Sequence, residues 1–315
     1  MHSDPAVGAG PHLPVMVEEV LTQLVTTSSG LYVDGTVGGG GHASALLARL
    51  ASGGRVLGVD LDPGALDTAR RTLAGAGDRI SLRQGSFTQL PAFLEELGVT
   101  TCQGLLLDLG LSTLALESSG RGFSFQLEEP LDMRFDPRQG QPLSQVLLRL
   151  SRSQLADIIY RYGEERRSRA VARAIRGAAE AGRMLTSADL AATVRSVVKG
   201  PQATKTLARV FQALRIYING ELDNLQAVLD SLPQILESGR RVVIISYHSL
   251  EDRLVKHFFI RESKACLCPP QLPSCQCNHQ ATLKVVSRKP ITPSAKEQAF
   301  NPRSRSAKLR VAQRL

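Results

Sequence analysis

The stretch LYVDGTVGGGGH, Leu31 to His42, constrains this chain more than any other. A short apolar run ends in Asp34, and the glycines Gly38 to Gly41 then open a segment with helical periodicity. Glycine has no β-carbon, so backbone at such a loop can close on a ligand that other residues would hold off. The helix expected over Ala43 to Leu50 turns its unpaired N–H groups toward the same place. About twenty residues on, the apolar run RVLGVDLD reaches Asp60, the spacing at which an acid on a neighbouring parallel strand holds ribose hydroxyls. These features predict a nucleotide-type site at the carboxyl ends of parallel strands. A dinucleotide fingerprint would read G-x-G-x-x-G, with a pyrophosphate on the helix N-terminus. Here Asp34 precedes the loop, where a carboxylate repels a pyrophosphate and attracts a cation. S-adenosylmethionine, which carries an ammonium and a sulfonium, is therefore favoured over NAD.

The segments around the loop alternate in period. Strands are expected at Leu31–Asp34, Val56–Asp60, Ile80–Arg83 and through GLLLDLG to Asp108, with a helix between each pair and one at His12 to Leu24. That alternation predicts a doubly wound parallel α/β sheet. After Asp108 it stops. From about Glu117 to Asn219 the sequence shows no good strand, only a long polar stretch (SSGRGFSFQLEEPLDMRFDPRQGQP) and then helices over Leu143–Leu150, Ser153–Tyr162, Glu164–Ala181, Ala188–Val198 and Thr204–Ile218. Long loops inside compact domains usually carry function. Thr186 suits an N-cap, with Asp189 in the first turn behind it. A discontinuous sheet domain, residues 1–116 and 220–315, is thus expected around an inserted helical domain, 117–219. Strand five is expected in RRVVIISYHSL, and ATLKVVS with AKLRVAQRL as an antiparallel edge pair.

At 315 residues the chain can bury a sizeable core. A net charge of +9 points toward a polyanion such as nucleic acid. Arg166, Arg167, Arg169, Arg173 and Arg176 are candidates to track phosphates, or else a solvated helix face. No apolar run reaches membrane-spanning length, and the first residues, MHSDPAVGAGPHLP, have neither the charged nor the apolar region of a secretory signal. A cytoplasmic protein with no membrane partner is expected. The sequence leaves the oligomeric state open, a homodimer included. Cys102 lies on an apolar run and reads as inert core. The other four cysteines, Cys266, Cys268, Cys275 and Cys277, crowd into CLCPPQLPSCQCNH with His279. Paired thiolates of this kind make a tetrahedral zinc site or remain reduced and unligated.

Three further candidates sit at expected strand ends. Asp108 closes strand four and faces the crevice where ligands of such sheets bind, unless it only caps a turn. Phe87 follows strand three, placed to press on a flat base or to pack in the core. His248, in SYHSLEDR after strand five, is a candidate base, while Ser249, Glu251 and Asp252 suit a helix N-terminus.

The motifs HLPVMVEEV, DGTVGGGGH, GVDLDPGAL, LLLDLGLS, RGFSF with PLDMRFD, YGEERRSR, ATKTLARVFQALRIYIN, SYHSLEDR and NPRSRSAKLRVAQRL run in order from about residue 12 to the C-terminus. On these the chain resembles the ribosomal RNA small subunit methyltransferase H family, also called MraW. The resemblance implies a class I S-adenosylmethionine-dependent methyltransferase sheet with an inserted helical domain. It also implies methylation of N4 of a cytidine in the decoding region of 16S rRNA, on naked rRNA or the small ribosomal subunit. Carried over by position, Gly38, Gly40, Gly41 and His42 line the donor site, Asp60 holds the ribose, Phe87 neighbours the adenine and Asp108 reaches the site. Ala115 stands where the family often has Gln, Val37 where Phe is common, and Tyr247 where Phe precedes HSLED. Other activities compatible with the residues alone are a catalytically silent RNA-binding assembly factor, an NAD-dependent dehydrogenase and a DNA cytosine-N4 methyltransferase.

Overall fold

The computed structural model describes residues 14–111, 120–269, 271–272 and 275–315. The leader before Pro14, the 116/117 domain boundary and Ala115 lie outside the described residues.

Alternating apolar residues build the sheet. In β1 (Leu31–Asp34), β4 (Cys102–Asp108) and β5 (Leu236–Ser246), Leu31, Val33, Leu105, Leu107, Val242 and Ile244 point to one face, and Tyr32, Leu106, Val243 and Ile245 to the other. Both faces are therefore apolar, as a sheet covered by helices on two sides requires. β2 (Arg55–Asp60) and β3 (Ile80–Gln84) continue it, giving the order β3-β2-β1-β4-β5-β7-β6. The first five strands are parallel. β7 (Lys308–Arg314) pairs antiparallel with β5, and β6 (Leu283–Val285) pairs antiparallel with β7 at the edge. The two closing strands do pair as expected, but the later one inserts between β5 and the earlier one. The result is a mixed, seven-stranded, doubly wound α/β sheet, the fold class its sequence predicts.

Helices α1 (Val17–Leu24), α2 (Gly41–Arg49) and α3 (Pro63–Thr72) pack one face through Val20, Leu24, Leu46, Leu47, Leu66 and Ala69. The other face takes α4 (Leu90–Glu96) with its Phe93 and Leu94. Five of the six described helices between β4 and β5 come next: α5 (Leu143–Arg149), α6 (Arg152–Gly163), α7 (Ser168–Glu180), α8 (Ser187–Val197) and α9 (Gln202–Asn219). These five share a separate core built around Leu147, Ile159, Ile175, Leu190 and Leu207. Thr186 caps α8 as its sequence foretells: its hydroxyl accepts from the Asp189 amide at 3.1 Å, and the Asp189 carboxylate accepts from the Thr186 amide at 2.9 Å. The single helix expected over Glu164–Ala181 starts only at Ser168, because Glu164 takes a left-handed conformation (φ 50°). Its carboxylate accepts from the Ser249 hydroxyl at 2.6 Å and from Arg253 at 3.0 Å, tying the helical block to α11 (Ser249–Glu262). Gly220, at φ 60°, turns α9 into α10 (Glu221–Ile235), which packs beside α4 on the sheet. A short α12 (Ala295–Phe300), not foreseen in the sequence, precedes a 3-10 turn at Pro302–Ser306. No helix among the described residues is long and apolar enough to cross a membrane.

Gly104 in β4 shows how tightly the sheet is filled. A β-carbon there would lie 2.7 Å from the ring of buried Tyr32, and the Tyr32 hydroxyl donates to the Thr27 carbonyl at 2.8 Å, which fixes the ring. Gly104→Ala is expected to cost about 1–3 kcal/mol, the usual range for overpacking, read as a fall in thermal midpoint.

Candidate active site

The parallel strands end in a row of acids. Register places Asp34 beside Gly58 and Leu106, Asp60 beside Gln84, and Asp108 beside Ile245. Strand order reverses between β1 and β4, the topological switch point where ligands of open α/β sheets bind. A cavity of about 960 Å³ opens there. Its size sits at the upper end of the ~300–1,000 Å³ of ordinary ligand pockets. One side is lined by Gly38, Gly39, Gly41, His42, Asp60 and Phe87. The other is lined by Phe123, Phe125 and Phe211 near the helical block.

The glycines of the loop differ in what surrounds them. Gly38 (φ 52°) lines the cavity, and a β-carbon there would meet only the Thr36 carbonyl oxygen, at 3.9 Å. Gly40 (φ 89°) is not a lining residue: a β-carbon there would press on Leu73 at 3.2 Å, so it allows α2 and α3 to meet. Gly41 lines the cavity and is also covered by Pro14, whose side chain a β-carbon would meet at 2.9 Å.

Asp60 ties the loop together. Its Oδ2 accepts from the Gly38 amide at 2.8 Å and its Oδ1 from the Asp62 amide at 2.9 Å. Each oxygen keeps a lone pair for a hydroxyl of a ligand. Burial, opposed by those two amides, pushes its pKa up to about 6. Asp34 is buried completely, does not line the cavity, and leaves Oδ2 without a hydrogen-bond partner. Burial raises it to about 7, with His42 pulling down and Asp108 and Asp60 pushing up. It therefore sits behind the loop, where its charge could reach a ligand only through space.

Asp108 lies where three strand-end segments converge. Its amide donates to the Thr36 hydroxyl at 2.6 Å, its Oδ1 accepts from the Tyr247 hydroxyl at 2.8 Å, and its Oδ2 stands 3.8 Å from His42 Nδ1. His42 Nε2 donates to the Val15 carbonyl at 2.8 Å. Burial and the adjoining Asp108 carboxylate hold the Tyr247 phenol far above its ordinary range, so it is a donor at every working pH. His248 lines the cavity but serves as the N-cap of α11, its Nδ1 accepting from the Glu251 amide at 3.4 Å. Its Nε2 is 3.1 Å from Glu251 Oε1 in a geometry that makes no hydrogen bond.

Several lining contacts have no local sequence signal. Arg121 pairs with Asp62, lies 5.4 Å over the Phe123 ring, and donates to the Phe135 carbonyl at 2.6 Å. It thereby holds RGFSF against the loop after β2. Met133, buried at φ 60°, and Phe135 are bonded to Asn219 at the end of α9. Arg215 makes a two-pronged pair with Glu221 at 2.8 Å, and Asn301 to Arg303 close the far wall. Cys102 is buried core, and burial pushes its thiol up to about 12.

A sheet with carboxylates at the tips of β1, β2 and β4, a glycine loop between them and a roomy two-sided cavity is the site of a nucleotide-ligand α/β transferase. The MraW methylase family matches residues 9–315, and the chain belongs to it. Relatives named ribosomal RNA small subunit methyltransferase H include those from Syntrophotalea carbinolica (45% identical, covering 96% of this chain and 98% of the relative), Thermomicrobium roseum (44%, 96% and 94%) and Dehalococcoides mccartyi (43%, 97% and 87%). The protein is a methyltransferase, and S-adenosylmethionine is its methyl donor. The residues present fit that donor: bare backbone at Gly38 and Gly39, a flat ring at Phe87, and three buried or half-buried carboxylates to meet its positive charges.

Proposed function

We propose that the chain methylates N4 of a cytidine in the decoding region of the 16S rRNA of the small ribosomal subunit. The relatives' names support an rRNA of the small subunit as substrate, and the sequence resemblance supplies the base and position. The observation that carries the reading is Asp108, which stands between the glycine-loop side of the cavity and the aromatic side.

In this reading Gly38, Gly41, His42, Asp60 and Phe87 hold the donor, with Asp60 on the ribose. Gly40 supports the loop from behind. The bound donor supplies an electrophilic methyl on a positively charged sulfur. Cytosine N4 is a poor nucleophile because its electron pair is delocalised into the ring. The Asp108 carboxylate accepts one N4–H, so that the pair localises on nitrogen as attack begins, and takes the proton as the C–N bond forms. The Tyr247 hydroxyl and the Thr36 hydroxyl fix the carboxylate and its backbone, so positioning supplies much of the rate. His248 keeps α11 and Tyr247 in place rather than moving a proton. The base must leave its stack to enter, and Phe123 or Phe125 receives it. Arg166, Arg167, Arg169 and Arg173 are exposed and make no ion pair with a described residue, which suits them to phosphates. Arg176 is bonded to the Leu147 carbonyl and Glu180, which suits it to structure.

Two measurements bear on this. Small subunits lacking the modification, incubated with labelled S-adenosylmethionine and the protein, should yield label in N4-methylcytidine at one position. Label elsewhere, or donor binding without transfer, overturns the assignment. Donor affinity should also depend on pH. Both acids are raised, Asp34 to about 7 and Asp60 to about 6, so below pH 6 they are largely protonated and neutral. A cationic donor favours their ionised forms, releases protons on binding, and binds about tenfold more tightly at pH 8 than at pH 5.5. The same raised values make these acids stabilise the donor-free fold below their unfolded pKa and lose that contribution as pH rises through 6 to 7. Asp34→Asn should therefore raise the donor-free thermal midpoint at pH 8 and flatten the pH dependence of donor binding, both readable by calorimetry.

A further inference from the structure

The chain leaves the sheet between α11 and β6 in a twenty-residue excursion, 263–282, that has no apolar reason to hold its shape. Its neck is tied: the Thr282 amide and hydroxyl both donate to Glu262, each at 2.9 Å. Beyond the neck no described residue is buried, and Leu267 and Leu272 are 41% and 40% exposed. What the excursion has instead is four converging sulfurs. The Sγ atoms of Cys266, Cys268, Cys275 and Cys277 all lie within 4.8 Å of one another. Cys266 is 3.4 Å from Cys275 and 3.7 Å from Cys277, and Cys275 is 3.6 Å from Cys277.

Those separations discriminate between the ways cysteines associate. A disulfide would bring a pair to about 2.05 Å, and all four cysteines are free. Four ligands around a tetrahedral ion at about 2.3 Å stand about 3.8 Å apart by simple geometry, close to the distances found. The backbone is arranged for charged sulfur as well. The Leu267 amide points at Cys277 Sγ (3.3 Å), the Cys268 amide at Cys266 Sγ (3.4 Å) and the Gln276 amide at Cys268 Sγ (3.3 Å). Donors so placed stabilise thiolates, the form a metal binds. Asn278, at φ 50°, turns the chain immediately after the last ligand. His279 is not one of the clustered groups.

We propose that these four cysteines form a structural, four-thiolate zinc site that folds the excursion in place of a hydrophobic core. A closed four-sulfur set leaves no position for water or substrate, so the site is not catalytic. Zinc entry displaces the four thiol protons and changes no oxidation state. A soft, all-sulfur tetrahedral set selects zinc over magnesium or calcium.

The test uses the full chain, purified under reductant without chelator. Elemental analysis should find about one zinc per chain, and cobalt exchanged for it should show the visible bands of a tetrahedral thiolate complex. The Cys275→Ser/Cys277→Ser double variant should lose the metal while keeping its circular dichroism and its affinity for S-adenosylmethionine, since the cysteines lie outside the cavity. Chymotrypsin should cut after Leu267, which is followed by Cys268, in the zinc-stripped protein and spare it in the loaded one. Zinc below about a tenth of an equivalent after anaerobic loading, iron in its place, equal metal in the double variant, or equal cleavage with and without zinc would each overturn the proposal.

Discussion

Asp108→Asn will leave S-adenosylmethionine bound and slow methyl transfer by about 10²- to 10⁴-fold, the usual contribution of a positioned general base. The substitution preserves size and can still accept from the Tyr247 hydroxyl, which now meets Oδ1 at 2.8 Å. What it removes is the negative charge that, in the proposed mechanism, receives the N4 proton. The Asp108 amide bond to Thr36 involves the backbone and survives, so strand four still ends in the same place. Single-turnover rates with donor bound, set beside a calorimetric donor titration, separate the two effects. Near-normal turnover would remove the carboxylate from the chemistry.

Asp60→Ala attacks the other half of the site and should act on binding. Asp60 does one job in the structure and a second in the proposal: it holds the Gly38 and Asp62 amides, and its remaining lone pairs are proposed to meet the ribose. Hydrogen bonds to a charged partner contribute about 1.5–3 kcal/mol each. Losing two ribose contacts and the ordering of the glycine loop together should weaken donor binding by at least about 100-fold. The maximal rate at saturating donor should fall less than the affinity. A variant with unchanged affinity would place the ribose elsewhere.

Much of this site is written in short segments. Apolar runs ending in Asp34, Asp60 and Asp108 mark strand tips, because a strand buried on both faces admits polar residues only where it emerges. The Thr186 cap is equally local, since its partner is three residues away. Other features depend on distant parts of the chain. Gly40 is glycine because Leu73 packs on it, and no window around the loop reveals that. Arg121 reaches Asp62 across 59 residues, and Met16 donates to Glu297 across 281. The insertion of β7 between β5 and β6 follows from burying Leu309 and Val311 against the sheet, whereas sequence adjacency alone suggests only a terminal pair. His248 looks like a base by residue type, and only the α11 geometry shows that its Nδ1 serves as the helix cap.

The central claim is that the cationic donor sits against bare main chain at Gly38, Gly39 and Gly41, among the strand-end carboxylates. The most direct measurement is calorimetric titration of the folded, full-length chain with S-adenosylmethionine at pH 6.5, repeated in buffers of different ionisation enthalpy. The account predicts one site per chain, net proton release, and loss of the heat in Asp60→Ala. Absence of binding on folded protein, or binding that Asp60→Ala leaves intact and that takes up protons, would contradict it.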